Sequence, residues 1–274
     1  MEVFSIKMSK NGQKQNEGKR LDSSTRSLNE MGYKTTDWML EVTKDPRKSA
    51  KIVGLLFMIA TVSLFIGQAY YNPILSSPDY LEITYPNRAI VLTGVLIEFT
   101  GYLGLIFIPI LLFPILKIHD HVLAWGYVCF RLFEVVLLTV AQIAKLSLIG
   151  LSQDYLSSGG VQPSYFRNMG NYVQSVLYWV DSGGLIYIIV FVIGALMLYY
   201  ELYKTKLVPR WLSIWGIISA VALVSASLLV TLNLVAVELA ILLMIPLAVQ
   251  EQIMALWLIF KGFSSFASLS VKQR

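Results

Sequence analysis

The segment "CFRLFEVVLLTVAQIAKL", residues 129–146, is apolar enough for a membrane helix, yet it contains four strongly polar side chains. At about 100° per residue, these four and Leu138 fall within an arc of roughly 80° on one face of a helix. If they were scattered, several would meet lipid, where a charge at the bilayer centre costs on the order of 3 kcal/mol. The pattern therefore predicts a membrane helix with one face turned towards protein, and that face carries Arg131, Glu134, Gln142 and Lys145.

The composition of the whole chain indicates an integral membrane protein. Of its 274 residues, 56% are hydrophobic and 14% are charged, whereas soluble domains contain roughly 25% charged residues. Lipid offers no partner for backbone N–H and C=O groups, so apolar runs of about 20 residues must be helices. The third run is too long for one upright crossing and is predicted to tilt or to end near Lys145. The sequence predicts an all-α, multi-pass protein with six transmembrane helices, at residues 52–69, 89–116, 122–151, 176–200, 211–232 and 235–260.

The distribution of basic residues predicts the orientation. Of the 22 Lys and Arg residues, eleven lie between positions 7 and 51, three between 204 and 210, and three after the last run. The connections at residues 70–88 and 152–175 hold only Arg88 and Arg167. Because cytoplasmic segments are enriched in Lys and Arg, we expect both termini in the cytoplasm, those two connections outside, and the chain in the plasma membrane.

The ends of the chain differ from its apolar middle. Residues 1–35 are polar and lack periodicity, as expected of a disordered basic tail in the cytoplasm. Residues 36–50 are predicted to form either a short interfacial helix or an anchored linker, followed by the six-helix membrane domain at 51–263 and a cytoplasmic tail at 264–274. The net charge of +5 then predicts attraction to anionic lipids of the bilayer, and no nucleic-acid binding.

Several kinds of chemistry are disfavoured by the residues present. His119 and His121 are the only histidines and lie two positions apart, without a cluster of zinc ligands nearby, so we predict no metal site and no haem. Cys129 is the only cysteine, which excludes an intramolecular disulfide. No phosphate-binding glycine loop and no serine nucleophile motif is present. The sequence predicts no cofactor, and it favours a protein that is not an enzyme.

Charged residues of other runs are predicted to meet the polar face of the third helix. Counting about 1.5 Å per residue from the ends of the runs places four charged side chains near the middle of the bilayer. The predicted ligand, proton or cation cluster is Glu98, Arg131, Glu134 and Glu251. The predicted second polar group, nearer the outer surface, is Lys145, Asp181 and Gln142. Two structural alternatives stay open, in which Arg131 only joins helices through the acids and Lys145 only extends its amine to the interface.

The charges of the predicted cluster do not balance. Three carboxylates and one guanidinium at one depth leave an excess of two negative charges, which a low-dielectric site resists. We therefore expect Arg131 to contact at least one of the acids, and at least one acid to carry a proton near neutral pH unless a cation is bound. Glu251 is the expected carrier, because Pro246 frees a backbone carbonyl one turn earlier and no basic residue shares that depth of its helix.

The chain resembles a known membrane family in several segments. The most specific are "LVPRW" at residues 207–211 and "WLIFKGF" at 257–263. The others are "RKSAKIVGLLFMIA", "LTGVLIEF", "FRLFE", "VDSGGLIYII", "KTKLVPRWLSIWGII" and "PLAVQEQIMALWLIFKGF". On these segments, from about residue 47 to residue 263, the sequence is similar to the prokaryotic six-helix family known as domain of unknown function four-three-eight-six.

The resemblance implies a topology and site positions, but no reaction. It places the acidic position of the family's second helix on Glu98 and the Arg and Glu of its third helix on Arg131 and Glu134. Its acid in the sixth helix falls on Glu251. The family often has a His-Asp pair where this chain has Val180 before the aspartate, so a role for that histidine does not carry over.

Three functional hypotheses follow. The leading one is a six-helix bundle that binds a small ligand, or moves protons or a cation, around the predicted cluster. The first alternative is a non-catalytic membrane protein that assembles with a membrane partner. The second is an intramembrane enzyme that uses the acids for proton transfer on a lipid-like substrate. No inverted three-plus-three repeat is visible, because the fifth run has no counterpart of Glu98, and this disfavours a transporter.

Overall fold

The computed structural model describes residues 45–181 and 184–264, and these residues form helices with no β-strand among them. In chain order the helices are α1 (Pro46–Leu75), α2 (Tyr80–Ile83), α3 (Arg88–Leu116), α4 (His121–Ser157), α5 (Pro163–Val180), α6 (Leu185–Thr205), α7 (Arg210–Thr231) and α8 (Val237–Phe260). Six stretches are long and apolar enough to cross a membrane: α1, α3, α4, the stretch from α5 through α6, α7, and Leu242–Phe260 of α8. The prediction of an all-α protein with six membrane-crossing helices is confirmed.

The long helices pack in a ring that follows the order of the chain. Helix α1 packs against α3, α3 against α4, α4 against α6, α6 against α7, α7 against α8, and α8 returns to α1. Side-chain hydrogen bonds hold α8 in this ring. The amide of Gln252 donates to Thr61 of α1 at 2.7 Å, and that of Gln250 donates to the carbonyl of Leu212 of α7 at 3.0 Å. Residues on the inward faces of α1, α3, α4, α6 and α8 can therefore meet one another.

Helices α1 and α3 approach closely at two glycines. A Cβ atom on Gly67 would lie 2.6 Å from the carbonyl oxygen of Gly94, and one on Gly94 would lie 2.7 Å from the carbonyl oxygen of Gly67. No other residue fits at either position without separating the backbones. This contact brings Tyr71, one turn after Gly67, next to Glu98, one turn after Gly94.

The two ends of the bundle are distinguished by the path of the chain. At one end α1 begins and α8 ends, and we call it the terminal end. The C-terminal part of α3, the start of α4, the end of α6 and the start of α7 also lie there, because successive helices alternate in direction. Asp120 caps α4 at this end, since its carboxylate accepts the backbone N–H groups of Val122 and Leu123, both at 3.1 Å. The opposite end, with the connections at 76–87 and 158–162, is called the far end.

At the far end, one of the two alternatives for the third run and one predicted connection are wrong. Helix α4 does not end near Lys145 but continues to Ser157, so it has 37 residues and a length of about 55 Å, and its tilt stays a prediction. The predicted loop at 152–175 contains most of helix α5. Its inner side packs Phe166, Val173 and Leu177 onto a buried apolar cluster at the far end. Polar residues on the opposite side of α5 make the segment less hydrophobic on average, so the sequence-based prediction treated it as a loop.

The ends of the predicted domains fall largely beyond the described residues. The basic tail at 1–35 lies outside them, as do 36–44 of the predicted interfacial segment and 265–274 of the C-terminal tail. Residues 46–50 begin helix α1 directly. The orientation of the bundle in the membrane stays a prediction.

Candidate functional site

The polar face predicted for α4 is turned into the bundle. Arg131, Glu134, Gln142 and Lys145 are each at most 4% exposed. The apolar residues on the opposite side, such as Ile143 and Val136, are more than half exposed, as expected of side chains that meet lipid. The helix therefore carries its charges along one buried line, and partners from other helices meet it in two separate groups.

The first group surrounds the guanidinium of Arg131. This arginine group consists of Arg131 and Glu134 of α4, Tyr187 and Tyr199 of α6, and Glu251 of α8. Arg131 donates to Oε2 of Glu134 at 2.8 Å, and its second terminal nitrogen lies 3.9 Å from Oε1 of Glu251. Tyr187 donates to Glu134 at 3.2 Å, and Tyr199 donates to Glu251 at 3.4 Å. The group joins three helices, with one short ion pair inside α4 and longer contacts between helices.

The second group surrounds the amine of Lys145. This lysine group consists of Tyr71 of α1, Glu98 and Tyr102 of α3, Gln142 and Lys145 of α4, and Asp181, which follows α5. The amine of Lys145 lies 3.2 Å from Oε2 of Glu98 and 3.1 Å from Oδ2 of Asp181. It also donates to the hydroxyl of Tyr71 at 2.7 Å. The predicted proximity of Lys145, Gln142 and Asp181 is thus present in the structure.

Glu98 accepts several hydrogen bonds in the lysine group. Its Oε2 atom accepts from Tyr71 at 2.9 Å and from the amide of Gln142 at 2.6 Å, in addition to Lys145. The same amide nitrogen of Gln142 lies 2.6 Å from the hydroxyl of Tyr102. The other carboxylate oxygen, Oε1, and the amide oxygen of Gln142 are buried and have no hydrogen-bond partner among the described residues.

The structure separates Glu98 from the other three members of the predicted cluster. Arg131 and Glu251 lie about 15 Å and about 14 Å from the terminal ends of their helices, whereas Glu98 lies about 27 Å from the terminal end of α3. The sequence-based depth was counted from run ends, as if every helix had the length of the hydrocarbon core. Helix α3 has 29 residues, more than the core requires, so Glu98 meets Lys145 instead of Arg131.

An apolar layer separates the two groups. Tyr102, Val135 and Leu138 form a buried cluster, and Leu105, Ile106 and Tyr187 pack against it. Val135 and Leu138 lie on α4 between Glu134 and Gln142, which are eight residues and about 12 Å apart along the helix. The two tyrosines at the edges of the layer point their hydroxyls in opposite directions, Tyr102 to the lysine group and Tyr187 to the arginine group.

Each group contains two acids and one base. The arginine group combines Arg131 with Glu134 and Glu251, and the lysine group combines Lys145 with Glu98 and Asp181. If all members were ionised, each group would carry one excess negative charge. Together the two groups would carry an excess of two negative charges, divided between two sites that an apolar layer separates.

Sequence reasoning missed the tyrosines and one acid. The neutral partners of the buried charges are Tyr71, Tyr102, Tyr187 and Tyr199. The last three lie in predicted apolar runs, and Tyr71 lies two residues after the first run. Their hydroxyls were the available signal, because a tyrosine buried in a membrane bundle needs a partner for its hydroxyl. Glu201, which is 1% exposed near the end of α6, lies so close to Lys204 and Lys206 in the sequence that it is typical of an interfacial residue.

A third set of charges lies at the terminal end. The amine of Lys204 is 3.4 Å from Oδ2 of Asp120, and both side chains are partly exposed. The backbone N–H of Leu123, followed by Lys204 and the N–H of Val122, lowers the pKa of Asp120. Partial burial, followed by the charge of Lys204, lowers the pKa of His119. Within residues 45–181 and 184–264, no three His, Cys, Asp or Glu side chains converge as metal ligands.

The chain also matches a family by sequence. Residues 52–262 match the model of a family described as a domain of unknown function, DUF4386. The match covers most of the chain, including both charged groups, so this protein belongs to that family. No curated protein and no solved structure is similar enough to the chain to give a match.

Proposed function

We propose that this protein moves protons across the membrane through the arginine group and the lysine group. The observation that carries the proposal is the arrangement of the two groups on one buried face of α4, each with one acid more than its base can neutralise. A buried carboxylate without a cation is strongly disfavoured. One acid in each group therefore holds a proton, or exchanges it for another cation.

The neutral partners support proton movement within each group. A tyrosine hydroxyl can donate one hydrogen bond and accept another, so it can pass a proton between neighbours. Tyr71 lies between Lys145, from which it accepts, and Glu98, to which it donates. Tyr187 and Tyr199 each donate to one acid of the arginine group. Buried chains of acids and hydroxyls of this kind serve as proton relays in membrane proteins.

Each group also has one acid that is less buried than the other. The side chain of Asp181 is 24% exposed, compared with 0% for Glu98. The side chain of Glu251 is 15% exposed, compared with 1% for Glu134. We assign to Asp181 and Glu251 the exchange of protons with the surroundings of their groups, and to Glu98 and Glu134 the internal steps.

The apolar layer acts as the barrier of the pathway. Val135 and Leu138 offer no hydrogen bond, so a proton cannot pass from Tyr187 to Tyr102 while the layer is dry. Passage requires a movement of α3 or α6 against α4 that lets water join the two hydroxyls. A barrier between two proton-binding groups prevents a free leak, which a proton-moving protein must avoid.

A flux measurement on purified protein tests the proposal. Proteoliposomes with a trapped pH-sensitive dye receive a potassium gradient, and valinomycin sets the membrane potential that draws protons inwards. We expect faster acidification than in protein-free liposomes, and a slowing of roughly tenfold or more in Glu251→Gln. Glu238→Gln is the matched control, because Glu238 is an exposed acid of the same helix and belongs to neither group.

Two outcomes would contradict the proposal. Acidification at the rate of protein-free liposomes would mean that the parent protein moves no protons. Equal rates in the parent and in Glu251→Gln would mean that the arginine group is not on the pathway. In the first case both groups act as ionic clamps between helices, as in a non-catalytic membrane protein that assembles with a partner, and in the second case the arginine group alone does so.

We further propose that both termini lie in the cytoplasm, with the chain in the plasma membrane and the basic tail against anionic lipids. The asymmetry of Lys and Arg between the two ends supports this orientation. Single cysteines at Ser158 and Ser264, in a Cys129→Ser background, report it through an impermeant thiol reagent on intact cells. We expect labelling of the cysteine at Ser158 alone. Labelling of the cysteine at Ser264 alone would show that the orientation is the opposite of the proposed one.

A further inference from the structure

Glu201 of α6 is a buried acid whose carboxylate lacks a hydrogen-bond partner within the described part of the chain. Its side chain is 1% exposed, and neither carboxylate oxygen has a hydrogen-bond partner among the described residues. The other buried acids, Glu98, Glu134 and Glu251, each accept at least one hydrogen bond. Glu201 thus differs from every acid of the two charged groups.

An ionised carboxylate in this position would be costly. Moving a charged group out of water without a counter-charge is strongly unfavourable, and the group takes up a proton instead. The charges that act on Glu201 are those of Lys204, one turn later on the same helix, and Asp120 before α4. These two oppose each other, because Lys204 favours the ionised carboxylate and Asp120 disfavours it, and they already pair at 3.4 Å.

The position of Glu201 lies between solvent and the arginine group. It is four residues before the end of α6, about 6 Å from the terminal end, whereas Arg131 and Glu251 lie about 14–15 Å deep. On the solvent side are Lys204 and Asp120, whose side chains are 50% and 29% exposed. On the other side, Gly194 lies two turns earlier on the same face of α6, where a Cβ atom would be 4.0 Å from the backbone nitrogen of Arg131.

We propose that Glu201 is a third proton-binding acid, through which the arginine group exchanges protons with solvent at the terminal end. The exchange of protons with solvent rests on the proposed proton movement. Proton binding by Glu201 rests on the burial of a carboxylate that has no hydrogen-bond partner among the described residues. The ion pair of Asp120 and Lys204 is the nearest charged pair on the solvent side of Glu201 in this proposal. Protons reach it when this pair separates.

The first test measures the proton on Glu201 without any flux. Dicyclohexylcarbodiimide adds to protonated carboxylic acids in apolar surroundings and leaves a stable N-acylurea, which peptide mass spectrometry locates. We expect modification of Glu201 at about pH 6 that fades towards about pH 9, as the acid loses its proton. Exposed Glu238 should stay unmodified. Absence of modification on Glu201 across this range would overturn the inference.

The second test uses the proteoliposome measurement. Glu201→Gln keeps the shape of the neutral acid but cannot release a proton, so we expect a roughly tenfold slower proton flux. Glu201→Asp retains an acid and should retain more flux than Glu201→Gln. A parent flux that Glu201→Gln leaves unchanged would overturn the exchange role and leave the proposed function standing.

The two tests distinguish failure of proton binding by Glu201 from failure of the proposed function. If the parent shows no flux, the proposed function and the exchange role both fail. Modification of Glu201 that fades with rising pH would still support proton binding in that case. If flux is present but Glu201 is never modified, proton movement stands and Glu201 is not a proton-binding acid.

Discussion

The arginine group and the lysine group have the same charge balance but different tightness. In the lysine group, Oε2 of Glu98 has three donors within 3.2 Å, and they come from two other elements of the bundle. In the arginine group the only contact shorter than 3 Å is the pair of Arg131 and Glu134, which lie on the same helix. Its contacts between helices are 3.2 Å, 3.4 Å and 3.9 Å long.

The difference in contact lengths suggests different roles for the two groups. Short contacts among α1, α3, α4 and the end of α5 make the lysine group a fixed joint at the far half of the bundle. Longer contacts let α6 and α8 move against α4 around Arg131 without breaking a strong hydrogen bond. We infer that proton uptake is coupled to helix movement at the arginine group. The lysine group keeps α1, α3, α4 and the end of α5 fixed relative to one another.

The largest expected effect comes from removal of the base in each group. Arg131→Ala leaves Glu134 and Glu251 without a cation, and breaking a buried ion pair in this way costs about 3–5 kcal/mol. Lys145→Ala should cost less, about 1–3 kcal/mol, because Glu98 keeps the donors Tyr71 and Gln142. Thermal or denaturant unfolding in detergent measures both. A larger loss for Lys145→Ala would show that Tyr71 and Gln142 do not stabilise Glu98 when the lysine is absent.

A smaller effect is expected when a tyrosine hydroxyl is removed. Tyr71→Phe loses a 2.9 Å hydrogen bond to Glu98 and the acceptor of Lys145, and we expect a loss of about 1.5–3 kcal/mol. Tyr199→Phe loses a contact of 3.4 Å to Glu251, and we expect less than about 1 kcal/mol. The same unfolding measurement separates them. Equal losses would show that the arginine group is as tight as the lysine group.

The smallest effect concerns Asp120 outside the membrane core. Its pKa in the folded protein is lowered, first by the backbone N–H of Leu123. The charge of Asp120 therefore contributes fully to stability above the pKa of aspartate in the unfolded chain, which is about 3.9. This contribution is lost as the pH falls through the lower pKa of Asp120 in the folded protein. We expect the difference in melting temperature between the parent and Asp120→Asn to be constant from about pH 7 to about pH 5, and to shrink below about pH 4. A difference that stays constant to about pH 3 would show that the charge of Asp120 does not stabilise the helix start.

The sequence was sufficient for the number of spanning helices and for the face of α4 that is buried. Both follow from the cost of exposing polar groups to lipid, which acts on each helix by itself. The residues Arg131, Glu134, Gln142 and Lys145 could be placed on one buried face for this reason.

The grouping of charges across helices could not be obtained in the same way. Glu98 was placed beside Arg131 because its depth was counted from the far end of α3 and that of Arg131 from the terminal end of α4, as if both helices were only as long as the hydrocarbon core. Helix α5 was missed because its polar side resembles a loop. The pairing of Glu98 with Lys145 depends on the length of α3 and on the contact of Gly67 with Gly94, and both are properties of packing. Glu201 was missed because its burial is a property of helix packing that the sequence of α6 does not show.

If each group holds a proton because it has one acid in excess, infrared difference spectroscopy of a pH titration will detect a protonated carboxyl group. We expect a protonated carboxyl band near neutral pH that is reduced in Glu251→Gln and unchanged in Glu238→Gln. Spectra without a protonated carboxyl band from about pH 5 to about pH 9, in the presence or absence of sodium and potassium ions, would contradict the claim. Both groups would then be ionic clamps.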